Sequence, residues 1–180
     1  MKRKLLLLMA AAILAVGVIG LTACGSENTE SESKAFGEFQ TVDLNGNEVT
    51  NEVFANSKLT MVNVWATYCG YCIDEMPALG EISREHDKTE FQILGLVSDV
   101  ATPGEASAME IVQTTGADYT HMLTNEQLRK GILQDVQGVP TTFFVDNKGN
   151  RIGATYAGKK SKDEWKKIIE EMMENLDDEK

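Results

Sequence analysis

From Phe36 onward the apolar positions alternate between short runs at period two, unbroken apolar stretches and stripes at helical spacing. Phe39–Leu44 alternates, Asn45-Gly46-Asn47 supplies a turn and Val49 resumes the pattern, which predicts an N-terminal β-hairpin. Leu59–Ala66 (LTMVNVWA) is a nearly continuous apolar run with Asn63 inside it, as expected for a strand buried on both faces. A helix is expected over Tyr71–His86 and a second buried strand over Phe91–Val97. Thr102-Pro103 predicts an inserted helix over about 103–115, with threonine as cap, proline in the first turn and Gly116 as the stop. Tyr119–Leu123 reads as a short strand, and Thr124-Asn125-Glu126-Gln127 as a capping box opening a short helix. Thr142–Val145 and Arg151–Tyr156 read as antiparallel strands joined by the turn Asp146-Asn147-Lys148-Gly149-Asn150. A second capping box, Ser161-Lys162-Asp163-Glu164, opens a last helix. Its stripe of Trp165, Ile168, Ile169, Met172 and Leu176 faces a core. No repeat is visible. The order predicts an α/β sandwich whose mixed central sheet is flanked by helices.

The first residues follow another pattern. Lys2, Arg3 and Lys4 precede 17 residues, Leu5 to Leu21, without a charge, and Leu21-Thr22-Ala23-Cys24 closes the segment. An uncleaved membrane anchor is the plain alternative, since this run is near the minimum length for a span. The four residues LTAC resemble the lipobox of bacterial lipoproteins, which implies cleavage before Cys24 and a lipid on its sulfur. Either reading places the folded part outside the cytoplasm. Loss of residues 1–23 removes three cations from a net charge of −11 and leaves −14. Such an acidic body is repelled by anionic head groups and has no basic patch for nucleic acid. The polar segment GSENTESESKA after Cys24 cannot bury enough surface to fold, and reads as a tether. The expected organisation is therefore a signal peptide over 1–23, a lipidated cysteine and tether over 24–35, and one domain over 36–180.

Cys69 and Cys72 stand between a predicted buried strand and a predicted helix. A structural staple is a poor reading, because a two-residue spacer closes almost no loop. A zinc site wants two further ligands, and the two histidines, His86 and His121, are isolated from each other and from the pair. Covalent haem attachment wants a histidine directly after the second cysteine, where this chain has Ile73. Redox exchange fits best. At a helix N-terminus the free N–H groups and the helix dipole favour a thiolate at Cys69, with Cys72 one turn further in. With Cys24 lipidated, these two are left to pair with each other. Pro77 falls inside the same helix, and Gly138-Val139-Pro140-Thr141-Thr142 precedes a strand.

These residues resemble the thioredoxin superfamily: WATYCGYC (Trp65–Cys72) matches its Trp-Ala-x-x-Cys-x-x-Cys site, with Pro77 and Val139-Pro140-Thr141 in place. The export signal, the hairpin, the inserted helix and Cys-x-x-Cys-x-x-Glu-x-Pro are similar to the TlpA/ResA group of membrane-tethered thiol–disulfide oxidoreductases. The resemblance covers about 36–176 and implies a thioredoxin-like sandwich. It also implies a cis Pro140 beside the cysteines, a client strand pairing along residue 139, and Trp65 supporting the site from below. Cytoplasmic thioredoxins carry a buried aspartate where this chain has Asn63. The resemblance gives the proton-handling role to Glu75 instead, and Asp74 is expected to be solvated. Gly70-Tyr71 lacks the thioredoxin proline and is shared with periplasmic disulfide isomerases, which dimerise through a domain for which this chain has no room. A monomer is expected. Tyr68 and Tyr71 are expected to flank the site.

The implied activity is that of an extracytoplasmic, lipid-anchored thiol–disulfide reductase without a further cofactor. Cys69 would attack a client disulfide and Cys72 would resolve the mixed disulfide. The expected partners are a membrane thiol donor and client disulfides, with apocytochrome c and an exported methionine sulfoxide reductase as the clients the family suggests. A disulfide isomerase or oxidase of exported proteins is the nearest alternative. Thiol peroxidase lacks its Pro-x-x-x-Thr-x-x-Cys motif here. A non-catalytic binding lipoprotein is the third class.

Overall fold

A computed structural model describes residues 35–178. The expected signal segment, Cys24 and the tether up to residue 34 lie outside the described residues. Ala35, the last residue of the expected tether, bridges Asn150.

Five strands form the central sheet: β3 (Leu59–Trp65), β4 (Phe91–Val97), β5 (Thr120–Leu123), β6 (Thr141–Asp146) and β7 (Arg151–Ala157). Their order is β5-β4-β3-β6-β7, with β3, β4 and β5 parallel and β6 and β7 antiparallel. β1 (Gln40–Val42) and β2 (Glu48–Thr50) make a separate antiparallel hairpin, followed by a 3-10 turn over Asn51–Asn56. Helices α1 (Gly70–Glu85), α2 (Ala106–Thr115), α3 (Glu126–Lys130) and α4 (Lys162–Asp178) complete the expected mixed sandwich. Among the described residues, no helix is long and apolar enough to cross a membrane.

The two faces of β3 explain its unbroken apolar sequence. Leu59 and Met61 pack with Leu79 and Ile82 of α1 and with Trp165, Ile169 and Met172 of α4. Val62 and Val64 point the other way, toward Phe36, Phe39 and Phe54 of the N-terminal segment and Leu128 after β5. The hairpin also covers the β5 edge, which would otherwise expose free backbone groups. Leu44 N–H donates to the His121 carbonyl at 2.9 Å, and Thr41 Oγ1 donates to that of Leu123 at 2.6 Å.

Two turns share one construction, Asp-x-x-Gly-Asn. Asp43 Oδ1 accepts from Asn45 N–H and Asn47 N–H, and Asp146 Oδ1 from Lys148 N–H and Asn150 N–H. Gly46 and Gly149 then take φ of 86° and 80°, which favours glycine.

Two helix starts differ from the sequence expectation. α2 begins at Ala106 rather than 103, because Gly104 adopts φ 72° and its N–H is bound to the Leu44 carbonyl. The cap is Glu105, whose Oε2 accepts from Ala108 N–H at 2.7 Å. At α3 the cap is Asn125, accepting from Leu128 N–H at 2.9 Å, whereas Thr124 Oγ1 donates to the Val97 carbonyl. Thr124 is thus tied to the sheet instead of capping. The last capping box is as expected: Ser161 N–H reaches Glu164 Oε2 at 2.8 Å and Glu164 N–H reaches Ser161 Oγ at 3.3 Å.

Candidate active site

β3 ends at Trp65 and α1 starts at Gly70, so Cys69 occupies the N-cap. Cys69 and Cys72 are joined by a disulfide, with Cα atoms 5.2 Å apart. Cys72 N–H also donates to Cys69 Sγ at 3.1 Å. When the pair is reduced, that N–H and the helix dipole favour negative charge on Cys69. The two cysteines are unequally buried: Cys69 is 8% exposed and Cys72 1%. Tyr68 and Tyr71 stand out at 76% and 69% exposure on either side, and the space around Gly70 is open.

The peptide bond between Val139 and Pro140 is cis. Val139 packs against the same apolar cluster as Cys69, Cys72 and Trp65. Thr141 is buried and its Oγ1 donates to the Gly138 carbonyl at 2.7 Å. A groove of about 600 Å³ runs past Tyr68 and Val139, bounded by Asp99, Arg129 and Leu133. The structure therefore gathers Trp65, Cys69, Cys72 and Val139 into one apolar cluster, while Tyr68 and Val139 line the groove and Trp65, Cys69, Gly70, Tyr71, Cys72, Pro140 and Thr141 are not among its lining residues. Cys24 lies outside the described residues.

A row of side chains crosses the sheet beneath the disulfide. Thr142, Asn63, Gly95 and His121 are register partners on β6, β3, β4 and β5. Trp65, fully buried, donates Nε1–H to His121 Nδ1 at 3.0 Å. His121 Nε2 in turn lies 2.8 Å from the Ala117 carbonyl. Accepting at Nδ1 and donating at Nε2 requires the neutral ring, and burial lowers the His121 pKa to about 4. Beside it, Tyr119 buries a hydroxyl that has no partner among the described residues.

Glu75, one turn after Cys72 on α1, is 1% exposed. Its Oε1 accepts from Asn63 Nδ2 at 3.1 Å; its Oε2 accepts from Lys160 N–H at 2.7 Å and from Trp165 Nε1–H at 3.0 Å. Burial raises its pKa above the ordinary value of 4.5, against the lowering effect of these hydrogen bonds and the Lys160 charge. Asn63 Nδ2 also reaches Thr142 Oγ1 at 3.0 Å. Asp74, by contrast, points outward to Lys159 at 3.3 Å.

A raised Glu75 pKa means that the folded chain holds this proton more tightly than the unfolded chain. Its contribution to stability is present below pH 4.5 and is lost as pH rises through the folded value. Glu75→Gln is therefore expected to melt higher than wild type at neutral pH, with the gap closing below pH 4.5. Each pH unit of elevation corresponds to about 1.4 kcal/mol, or about 5 °C in a domain of this size. Thermal melts of both proteins across pH 4–8 check this, and a gap that widens toward acid contradicts it.

Four supporting residues escape a reading of the sequence. Asp99, just after β4, accepts from Thr67 N–H at 3.1 Å and Thr67 Oγ1 at 2.6 Å, steadying the loop before Cys69. His121 holds Trp65, while Lys160 and Trp165 hold Glu75. The stripe on α4 marks Trp165 as core, which it is, but spacing carries no sign that its N–H meets a carboxylate 90 residues away.

The Redoxin family model matches residues 30–171. The chain is 32% identical over 127 residues to the thiol:disulfide interchange protein DsbE of Haemophilus influenzae, a match covering 71% of this chain and 66% of that protein. It is also 32% identical over 151 residues to the thioredoxin-like protein YneN of Bacillus subtilis, covering 77% and 84%. A thioredoxin-family thiol:disulfide interchange protein from Chlorobium tepidum superposes with a TM-score of 0.63 at 22% identity, covering 76% of this chain and 93% of that one. The fold is thus thioredoxin-like, and by the extent of the family match the chain belongs to the Redoxin family.

Proposed function

We propose that this protein is an extracytoplasmic thiol–disulfide oxidoreductase that reduces client disulfides through Cys69 and Cys72. The observation that carries the reading is the unequal pair: a disulfide at the N-terminus of α1 in which Cys69, at 8% exposure, is the more accessible residue and Cys72, at 1%, is enclosed. Such a pair exchanges two electrons with another thiol–disulfide couple and needs no further cofactor. The thiol:disulfide interchange proteins among its relatives support the same chemistry.

In the reduced protein the Cys69 thiolate attacks one sulfur of the client disulfide. The client S–S bond breaks and a mixed disulfide with Cys69 forms. Cys72, deprotonated by Glu75, then attacks Cys69 Sγ, re-forming the Cys69–Cys72 bond and releasing the second client thiol. The client strand lies in the groove along Val139, Pro140 and Thr141, with Tyr68, Gly70 and Tyr71 shaping the rim and Trp65 supporting the floor. A membrane thiol donor returns the pair to the dithiol. Cys24 carries the lipid anchor and 24–35 the tether. Cysteines of apocytochrome c, or an exported methionine sulfoxide reductase, are the clients this family suggests.

Trapping tests the reading. Cys72→Ser, expressed as the full chain, is expected to accumulate a mixed disulfide between Cys69 and its client that dithiothreitol releases. Fractionation of the same cells tests the anchor, with the chain in the membrane fraction and Cys24→Ala released from it. Absence of any trapped thiol, together with a Cys69–Cys72 pair that never interconverts with the dithiol in wild type, would sink the redox assignment.

A further inference from the structure

The connection between β7 and α4 reaches Pro140, Asp74 and Glu75 with three consecutive residues. Gly158 N–H donates to the Pro140 carbonyl at 2.9 Å, Lys159 Nζ reaches Asp74, and Lys160 N–H donates to Glu75 Oε2 at 2.7 Å. One turn into α4, Trp165 Nε1–H reaches that same Oε2 at 3.0 Å. The two oxygens of Glu75 therefore differ. Oε2 receives two N–H donors, one for each of its lone pairs, whereas among the described residues Oε1 receives only Asn63 Nδ2. Packing alone does not require this arrangement. Trp165 lies among apolar neighbours such as Leu79, Ile82 and Phe144, none of which calls for an N–H donor. What the indole adds is a donor aimed at a buried carboxylate.

We propose that Trp165 is a positioning residue for proton transfer at Glu75: its indole N–H, with the Lys160 amide, fills Oε2 and leaves Oε1 as the oxygen that takes the Cys72 proton. The inference rests on the assignment of Glu75 as proton acceptor. During resolution the Cys72 S–H proton passes to Oε1, and the Cys72 sulfur attacks Cys69 Sγ. The Cys69–client S–S bond breaks, and its electron pair leaves on the client sulfur. The enzyme pair is oxidised by two electrons and the client is reduced by two. The groups facing Glu75 are Asn63 from β3, the Lys160 amide and ammonium from the β7–α4 connection, Trp165 from α4 and the Tyr119 phenol ahead of β5. All of the hydrogen bonds to the carboxylate are donated to it, so removing one weakens the hold on the ionised form.

The test uses the full chain in detergent micelles, oxidised, with the Glu75 carboxyl band isolated as an infrared difference against Glu75→Gln. Trp165→Phe is expected to raise the Glu75 midpoint by about one pH unit, a tenfold gain in proton affinity. The pH dependence of Cys72-driven client release should move with it. An unmoved midpoint in folded Trp165→Phe overturns the proposal. Should that variant fail to fold, wild-type tryptophan emission decides: it is expected to titrate at the Glu75 midpoint and to lose that step in Glu75→Gln. Emission blind to the midpoint overturns the proposal. Failure of the underlying assignment looks different, because Glu75→Gln would then release client with the wild-type pH profile while Trp165→Phe still shifted the infrared midpoint.

Discussion

Cys69→Ser is expected to lower the turnover of client disulfides by roughly a thousandfold or more, to the uncatalysed background. Cys69 is the more exposed of the two cysteines, at the point where the backbone N–H of Cys72 and the α1 dipole stabilise a thiolate. A serine hydroxyl in that place is not ionised near neutral pH and does not attack disulfide sulfur. Cys72, at 1% exposure, cannot take over the encounter with a protein client. The fold is expected to persist, since the variant differs from the reduced wild-type chain by a single sulfur atom. Initial rates with a model disulfide client, alongside urea unfolding of Cys69→Ser and reduced wild type, measure both parts. Turnover in Cys69→Ser, with loss of the first attack in Cys72→Ser, would reverse the two roles.

Gly95→Ala is expected to cost about 3 kcal/mol or more, combining overpacking with a lost buried hydrogen bond. A Cβ at Gly95 would lie 2.1 Å from His121 Nδ1 and 2.8 Å from its Cε1. The ring has no easy way to yield, because Trp65 holds Nδ1 and the Ala117 carbonyl engages Nε2. Displacing it would strand the Trp65 indole N–H beneath the redox pair, so the site is expected to loosen together with the fold. Urea unfolding of the oxidised chain measures the loss. Gly70→Ala is the control: nothing lies within 4 Å of its added Cβ, and alanine is the better helix former. A Gly95→Ala loss no larger than that of Gly70→Ala would show that the histidine ring is not pinned.

The Cys69–Cys72 pair was legible because its chemistry is local. A buried strand, two cysteines one helical turn apart and an amphipathic helix sit within 27 consecutive residues, Leu59–Glu85. The hairpin turn, the Gly116 stop and the Ser161–Glu164 box were legible for the same reason, since each is decided by side chains a few residues apart. The same locality explains the two misread helix starts. Thr102-Pro103 and Thr124 carry sound capping chemistry, but Gly104 is bound to the Leu44 carbonyl and Thr124 to that of Val97. Neither competing bond has a sequence signature.

The environment of Glu75 belongs to the tertiary structure in the same way. Its position, three residues after Cys72, together with the family resemblance, marked it as the acid to watch. Its burial and its two unequal oxygens depend on Asn63, Lys160 and Trp165, which are 12, 85 and 90 residues away. His121 read as an isolated histidine, and only the register of β3, β4 and β5 sets it across the Gly95 gap against Trp65. By itself, then, the sequence determined the redox pair and the order of elements, because spacing and periodicity act through neighbours along the chain. The tertiary structure alone decided how the acid is held and how Trp65 is braced, because those hydrogen bonds join residues that only the folded sheet brings together.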